Sequence, residues 1–443
     1  MRDLHEASRE ELLEVIGVLL ARVEALEARA AELEEENQQL RRGGGKAVPA
    51  WVKPNRPPRE KKPRRHRRQA FVRGRETPDE VREHAVEQCP KCGRKLSGGW
   101  VHRRRQVIEI ELVRRVVEHV VVARRCGICG KRRLPTLSAA ELGVQGKRRF
   151  GVGLQSLVAS LSGRFRVPVK EIGAFVEEAC GVHVSDGEIV GLLDGVVEAG
   201  GPQVEALRTQ VRQAPAVNVD ESGWRENGKN GWVWTFSTPD TRYFEIHLTR
   251  SGKVAEEVLG EAFRGRVGCD CYVGYNRLPQ EKQRCWTHLL RDLHHLKEAS
   301  PDHVELQAWA QAVRGLYEEA VAFHSENPRR RRKKRRELET RLDALVRPVA
   351  KQQGAPHRIL AERMRRHLLE WFTFVEHPEL SATNNLAERS LRPVVIARKI
   401  SGGTRSDKGS RTRERLMSLF GTWKLRGLPS LSACQRLLLT DSP

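Results

Sequence analysis

The stretch Ala216-Val-Asn-Val-Asp-Glu-Ser-Gly-Trp224 decides how the rest of the chain is read. From Ala216 to Asp220 apolar and polar residues alternate with the period of a half-buried strand, and the run ends on a carboxylate. Two more strand-like runs follow, Gly231 to Ser237 and Arg242 to His247. A helical pattern near Ser251 to Phe263 and a strand ending at Asp270 come next. Three successive strands, a helix and a further strand predict an α/β domain whose first strands are antiparallel.

Two of those strands end in acid, Asp220 and Asp270, and a third acid, Glu388, lies in the helical segment Thr383-Asn-Asn-Leu-Ala-Glu-Arg-Ser-Leu-Arg-Pro393. Carboxylates at neighbouring strand ends converge without long flexible loops, and they are the hard oxygen donors that hold Mg²⁺ or Mn²⁺. Phosphodiester cleavage and strand transfer use two such cations, about 3.5–4 Å apart. Glu221 competes for the first position, but strand alternation turns it to the opposite face and marks it as a tolerant control.

Downstream of Asp270 stands Cys285-Trp-Thr-His288-Leu-Leu-Arg291. His288 and Arg291 are three apart on one helix face, suited either to a phosphate contact and proton transfer or to an ordinary structural role. Trp286 fits a core position better than a base-stacking one. Cys269, Cys271 and Cys285 read as packed strand cysteines, since their spacing lacks a complete zinc ligand set. Residues from about His288 to Glu376 are helical, interrupted by Pro328 and by eight consecutive basic residues, Arg329 to Arg336. Such a run fits a solvated face or a phosphate grip.

Upstream, Leu12, Leu19, Leu26, Leu33 and Leu40 repeat every seven residues, with Ile16, Val23, Ala30 and Asn37 at the alternating core position. This predicts a parallel coiled coil in which Arg22 faces the partner's Glu27 and Arg29 faces the partner's Glu34. Between Lys46 and Arg68 there are ten Lys or Arg, one acid and five Pro, an extended basic linker whose Arg64 and Arg65 are candidate DNA-backbone contacts. Cys89-Pro-Lys-Cys92 and Cys126-Gly-Ile-Cys129 are two CxxC knuckles separated by strand-like alternation, at Val107 to Leu112 and Val116 to Val122. Four thiolates so arranged predict one structural Zn²⁺ on a zinc ribbon. Residues from Leu154 to Val211 read as helices, with Val169 to Cys180, a break at Gly181 and a capping box Ser185-Asp-Gly-Glu188. They fit a DNA-reading helix-turn-helix or a plain helical bundle.

A total of 80 Lys and Arg against 57 Asp and Glu gives a formal charge of +23, which points to a polyanionic partner, nucleic acid first. No apolar run reaches membrane-spanning length and the N-terminus has no secretory h-region, so a cytoplasmic, nucleoid-associated protein is expected.

Taken in order, VNVDESGW, CDCYVGYN, CWTHLLRDL, NNLAERSLRP and ARKISGGTRS resemble the transposases of the insertion-sequence 66 family. The preceding zipper, basic linker and paired CxxC motifs stand in that family's order. The resemblance implies that Asp220, Asp270 and Glu388 are the acidic triad of an RNase H-like DDE catalytic fold, with an insertion between the last two, which are spaced 118 residues apart. It also implies that Asn384 and Asn385 orient the metals or a phosphate, and that small companion proteins assist. From Arg389 to Arg426 eleven Lys or Arg oppose two acids, and Arg389, Arg392, Arg398, Lys399 and Arg405 are the candidate contacts to double-stranded DNA. The chain departs from the family pattern at Ile400-Ser-Gly-Gly-Thr-Arg-Ser406, where many members carry an aromatic-rich turn, and at the Cys269 and Cys271 flanks.

The expected organisation is multidomain. A coiled-coil zipper at 1–42 makes a homo-oligomer; a basic linker spans 43–80, a zinc ribbon 81–135 and a helical region 150–212. The RNase H-like domain covers 213–430, with a helical insertion at about 288–380, and a C-terminal tail 431–443 ends the chain. An active transposase is the leading expectation. A catalytically dead DNA-binding descendant and a structure-specific nuclease are the alternatives.

Overall fold

The structure is a computed structural model that describes residues 74–110, 112–146 and 148–440, together with 17, 22–24, 26 and 27. Most of the zipper and all of Lys46 to Arg68, including Arg64 and Arg65, lie outside the described residues. Two compact units emerge, residues 1–109 and residues 110–443.

In the first unit, the Cys89 amide donates to the Arg94 carbonyl (2.9 Å) and the Gly93 amide to the Cys89 carbonyl (2.8 Å). Gly93 takes φ 69°, the left-handed turn that closes a knuckle. The second unit begins with the same motif. There Cys126 donates to Lys131 (3.0 Å), Gly130 donates to Cys126 (2.9 Å), and Arg124–Arg125 pairs antiparallel with Arg132–Arg133. The alternating runs at 107–110 and 116–122 form no ladder. Their side chains are exposed, and alternation yields a strand only where a partner satisfies the backbone.

The centre of the second unit is a five-stranded sheet formed by β1 (Ala216–Glu226), β2 (Lys229–Ser237), β3 (Arg242–His247), β4 (Arg266–Cys269) and β5 (Lys282–Arg284). Its order is β3-β2-β1-β4-β5, with β1, β2 and β3 antiparallel and β4 and β5 parallel to β1. This mixed α/β arrangement is compatible with the RNase H-like architecture. The first two strands are longer than expected because Asn227 (φ 48°) and Gly228 (φ 76°) close a two-residue hairpin directly between them.

After a single turn of helix at Ala139–Leu142, four longer helices lead into the sheet: α1 (Val152–Gly163), α2 (Val169–Cys180), α3 (Asp186–Ala199) and α4 (Gly201–Gln213). Gly181 ends α2 at φ 62°, and Ser185 and Glu188 form the capping box of α3. These helices are not a separate domain. Ile172, Ile189, Val196 and Leu207 share one core with Val217, Val219 and Phe236 of the sheet and with α5 (Lys253–Leu259). The exposed start of α3 carries Asp186 and Glu188, with the positive charge of Arg149 acting on Glu188.

After β5 come α6 (Trp286–Ala299), α7 (Val304–Ala322), α8 (Pro328–Ala350) and α9 (Arg358–Arg366), which enclose a second core around Trp286, Trp309, Leu342, Trp371 and Phe372. This is the helical insertion. Pro328 does not interrupt a helix there: it starts α8, and the Asn327 side chain accepts from the Arg329 (2.9 Å) and Arg330 (3.3 Å) amides. The chain then returns to the sheet with α10 (Asn385–Ser401), which lies over β1 and β2, and α11 (Asp407–Leu425), which lies over β3. The stretch expected to be a tail begins with a packed helix: α12 (Ser430–Leu439) buries Ala433, Cys434 and Leu438 in the main core. Among the described residues no helix is long and apolar enough to cross a membrane.

Candidate active site

Asp220 and Asp270 meet through strand register. β1 and β4 run parallel with Asn218 opposite Gly268, so the residues two further on, Asp220 and Asp270, fall opposite each other. The Asp220 carboxylate accepts from the Glu221 amide (2.9 Å), and that of Asp270 accepts from the Tyr272 amide (2.8 Å). Glu388 arrives on the first turn of α10. Burial raises the Asp220 carboxyl to about 7, helped by the negative charges of Glu221, Asp270 and Glu388.

The N-terminus of α10 is fixed by Asn384, which is 1% exposed. Its Nδ2 donates to the Val219 carbonyl (2.9 Å), its Oδ1 accepts from Asn218 Nδ2 (2.9 Å), and its amide donates to Cys285 Sγ (3.2 Å). Asn384 therefore ties the helix that carries Glu388 to the strand that carries Asp220. Gly268 makes room for this bond, since a Cβ there would stand 2.5 Å from Asn218 Nδ2. Asn385 is half-buried at the start of the helix.

Behind Asp270, Arg284 has a fully buried side chain. It donates to the Asp270 carbonyl (2.7 Å), to Asn276 Oδ1 (2.7 Å) and to the carboxylate of Glu370, a residue of the insertion. Glu221 is not the neutral position expected. Its side chain is 1% exposed, accepts from Arg250 (2.7 and 2.9 Å) and from the Tyr275 hydroxyl, and sits within the Coulombic reach of Asp270. Arg250 in turn lies over the rings of Tyr272 (4.0 Å) and Trp232 (4.6 Å).

His288 Nε2 lies 3.8 Å from Glu388 Oε1. A hydrogen bond to Cys285 outweighs burial and, with the charges of Cys285, Glu388 and Asp270, lifts the His288 imidazole to about 9. Cys285, His288 and Glu388 form a tight group whose potential ligand atoms all lie within 4.8 Å of one another; Asp220 and Asp270 are not part of it. Glu388 Oε1 is buried without a hydrogen-bond donor. A buried carboxylate oxygen so placed, beside a thiol and an imidazole, is a donor set that a divalent cation could use.

The other expected residues divide. Arg291, Arg392, Lys399 and Arg405 are exposed, as is Arg389, whose Nε donates to the Asn385 carbonyl (3.2 Å). Arg398 is not free, because it donates to the Gly223 carbonyl and braces β1. Trp286 is buried against Tyr317, Trp371 and Phe372, which leaves it no ring face for a base. Within the run Arg329 to Arg336, Arg331 and Arg335 bind Glu376, and Arg335 also binds Glu281 and Glu339. Arg329, Arg330, Lys333 and Arg336 remain exposed.

The two knuckles are alike. Backbone amides lower the Cys89 thiol from Lys91 and Cys92, and the Cys126 thiol from Cys129 and Ile128. Amide donors of that kind suit a thiolate ligand.

Sequence reasoning missed Arg284, Arg250, Tyr275 and the role of Asn384 in bracing the strand. Each works through a partner far away in sequence, and no local spacing announces it.

A family model described as "Transposase IS66 family" matches residues 147–412. An uncharacterized protein, y4jD, of Sinorhizobium fredii (strain NBRC 101917 / NGR234) is 25% identical over 241 residues, or 50% of this chain. The aligned part covers 44% of that relative's own length.

Proposed function

The chain belongs to the insertion-sequence 66 family of transposases, and from that premise we propose that it cuts DNA strands at transposon ends and joins them to a target, using Asp220, Asp270 and Glu388. The observation that carries this reading is the convergence of three acids from separate segments at one end of the sheet, where each of the other two raises the proton affinity of Asp220. Held by these carboxylates, two Mg²⁺ or Mn²⁺ ions would activate the attacking oxygen and stabilise the leaving one.

The chain's own residues supply the positioning. Asn384 sets Glu388 against β1, and Arg284 holds the Asp270 backbone. Arg291, Arg389, Arg392, Lys399 and Arg405 offer charge to DNA phosphates around the acids. His288, beside Glu388, is placed to hold a phosphate oxygen or to move a proton. Cys89, Cys92, Cys126 and Cys129 hold one structural Zn²⁺, residues 1–42 make the chain an oligomer, and Arg64 and Arg65 add phosphate contacts.

Asp270→Asn and Glu388→Gln remove a charge with little change of volume. Binding of transposon ends should survive in both, while strand cleavage and strand transfer with Mg²⁺ fall together by several orders of magnitude. Near-normal cleavage by either variant would place the active site elsewhere.

A further inference from the structure

Cys285, His288 and Glu388 reach one point from three places. Cys285 ends the turn after β5, His288 sits on the first turn of α6, and Glu388 on the first turn of α10. Their ligand atoms lie within 4.8 Å of one another. Glu388 Oε1 is buried with no hydrogen-bond donor on it and has only the His288 imidazole nearby, its Nε2 3.8 Å away, so a buried carboxylate oxygen is left with a lone pair for a further ligand. Cys285 is 1% exposed, and its sulfur accepts the Asn384 amide at 3.2 Å. A backbone donor to sulfur is the outer-sphere contact that steadies a metal-bound thiolate.

The donor set does not match the cations proposed for the acids. Mg²⁺ takes oxygen ligands and keeps its waters, whereas a thiolate, an imidazole and one carboxylate suit a borderline-soft ion. Three protein ligands with a fourth position left to water is a common Zn²⁺ arrangement.

We infer that Cys285, His288 and Glu388 form a second metal site, selective for Zn²⁺ over Mg²⁺, whose occupation inhibits strand cleavage by withdrawing Glu388 from the catalytic acids. The inhibitory half rests on the role proposed above for Glu388; the site itself does not. On binding, the Cys285 thiol gives its proton to solvent and its sulfur joins the ion, with no redox change.

The test uses the full-length chain and zinc chloride alone as the probe. In equilibrium dialysis against buffered free Zn²⁺, Cys285→Ser should retain one equivalent fewer than the unmodified chain, whatever the knuckle cysteines hold in both. Circular dichroism checks folding, and His288→Asn, which alters a partly exposed side chain, serves as the second variant. In cleavage assays with excess Mg²⁺, each protein normalised to its own zinc-free rate, the half-inhibitory Zn²⁺ concentration should rise about tenfold or more in either variant. Equal zinc content in all three proteins would overturn the site. A lost equivalent without zinc inhibition of the unmodified chain would overturn the inhibitory role. Should the chain show no cleavage in Mg²⁺, the dialysis still decides the site, so failure of the transposase reading is told apart from failure of this one.

Discussion

Replacing Glu370 with Gln tests whether the insertion holds the site together. Burial alone would push the Glu370 carboxyl up, but the hydrogen bond from His367 and the charges of Arg284 and Lys282 outweigh it and hold it at about 2 against an ordinary 4.5. At about 1.4 kcal/mol per pKa unit, that difference corresponds to roughly 3 kcal/mol of stability at neutral pH. Independently, breaking a buried ion pair on one side costs roughly 3–5 kcal/mol, and Arg284 would be left with a fully buried, half-satisfied guanidinium. The two routes agree on about 3 kcal/mol.

The pH dependence has a definite sign. A carboxyl whose folded pKa is depressed stabilises the protein fully above its unfolded value, and the gain is lost as pH falls through the folded one. The stability gap between the unmodified chain and Glu370→Gln, measured by urea unfolding, should therefore be about 3 kcal/mol at pH 7 and close progressively from pH 4.5 toward 2. Because Arg284 also holds the Asp270 carbonyl, cleavage at neutral pH should fall in the variant while end binding persists. A gap below about 0.5 kcal/mol at pH 7, or one that does not change between pH 6 and pH 3, would refute the reasoning.

Asn384→Ala leaves Asn218 Nδ2 and the Val219 carbonyl unpaired in the interior, so urea unfolding should show a loss of roughly 2–4 kcal/mol, and a loss under about 1 would show that the bond is dispensable. Protein purified without chelator should contain zinc that Cys92→Ser removes in part, with weaker DNA binding; elemental analysis finding the same zinc in both would exclude the knuckle from metal binding. Deletion of residues 1–42 should lower the oligomeric order seen in sedimentation, and a monomer before and after deletion would rule out the zipper.

The strands were legible wherever side chains alternated into a core on one face, as at Val217 and Val219, and the α2–α3 pair was legible because Gly181, Ser185 and Glu188 are local signals. Strand length was less so. The Asn227-Gly228 turn, a strong hairpin signal, extends β1 six residues past Asp220, but Glu226 to Asn230 is wholly polar and carries no apolar alternation to mark a strand. That α1 to α4 and α12 share the core of the sheet is not legible in the sequence, because an amphipathic helix reveals that it buries a face, not against what. The sequence singles out Asp220, Asp270 and Glu388 by alternation and motif order, although Asp220 lies inside β1 and not at its end, whereas the environment of Glu221 is not legible there. Alternation gives the direction of its side chain, but Arg250 and Tyr275, which bury and bind it, lie 29 and 54 residues away.

The insertion departs from the sheet at the point where its attachment touches the acids. Within five residues, Arg284 binds the Asp270 carbonyl and Glu370, Cys285 accepts the amide of Asn384, Trp286 enters the insertion's own core, and His288 faces Glu388. A shift of the insertion therefore cannot leave the acids unmoved, since the second core is anchored by Trp286, and the side chains flanking that residue contact both acid-bearing segments. Glu370 and Trp371 close the same loop from the other end of the insertion, one bonding Arg284 and the other accepting the Trp286 indole through its carbonyl. The segment between Asp270 and Glu388 thus does more than span a gap: the helical core it builds sets the relative positions of the two carboxylates at its ends.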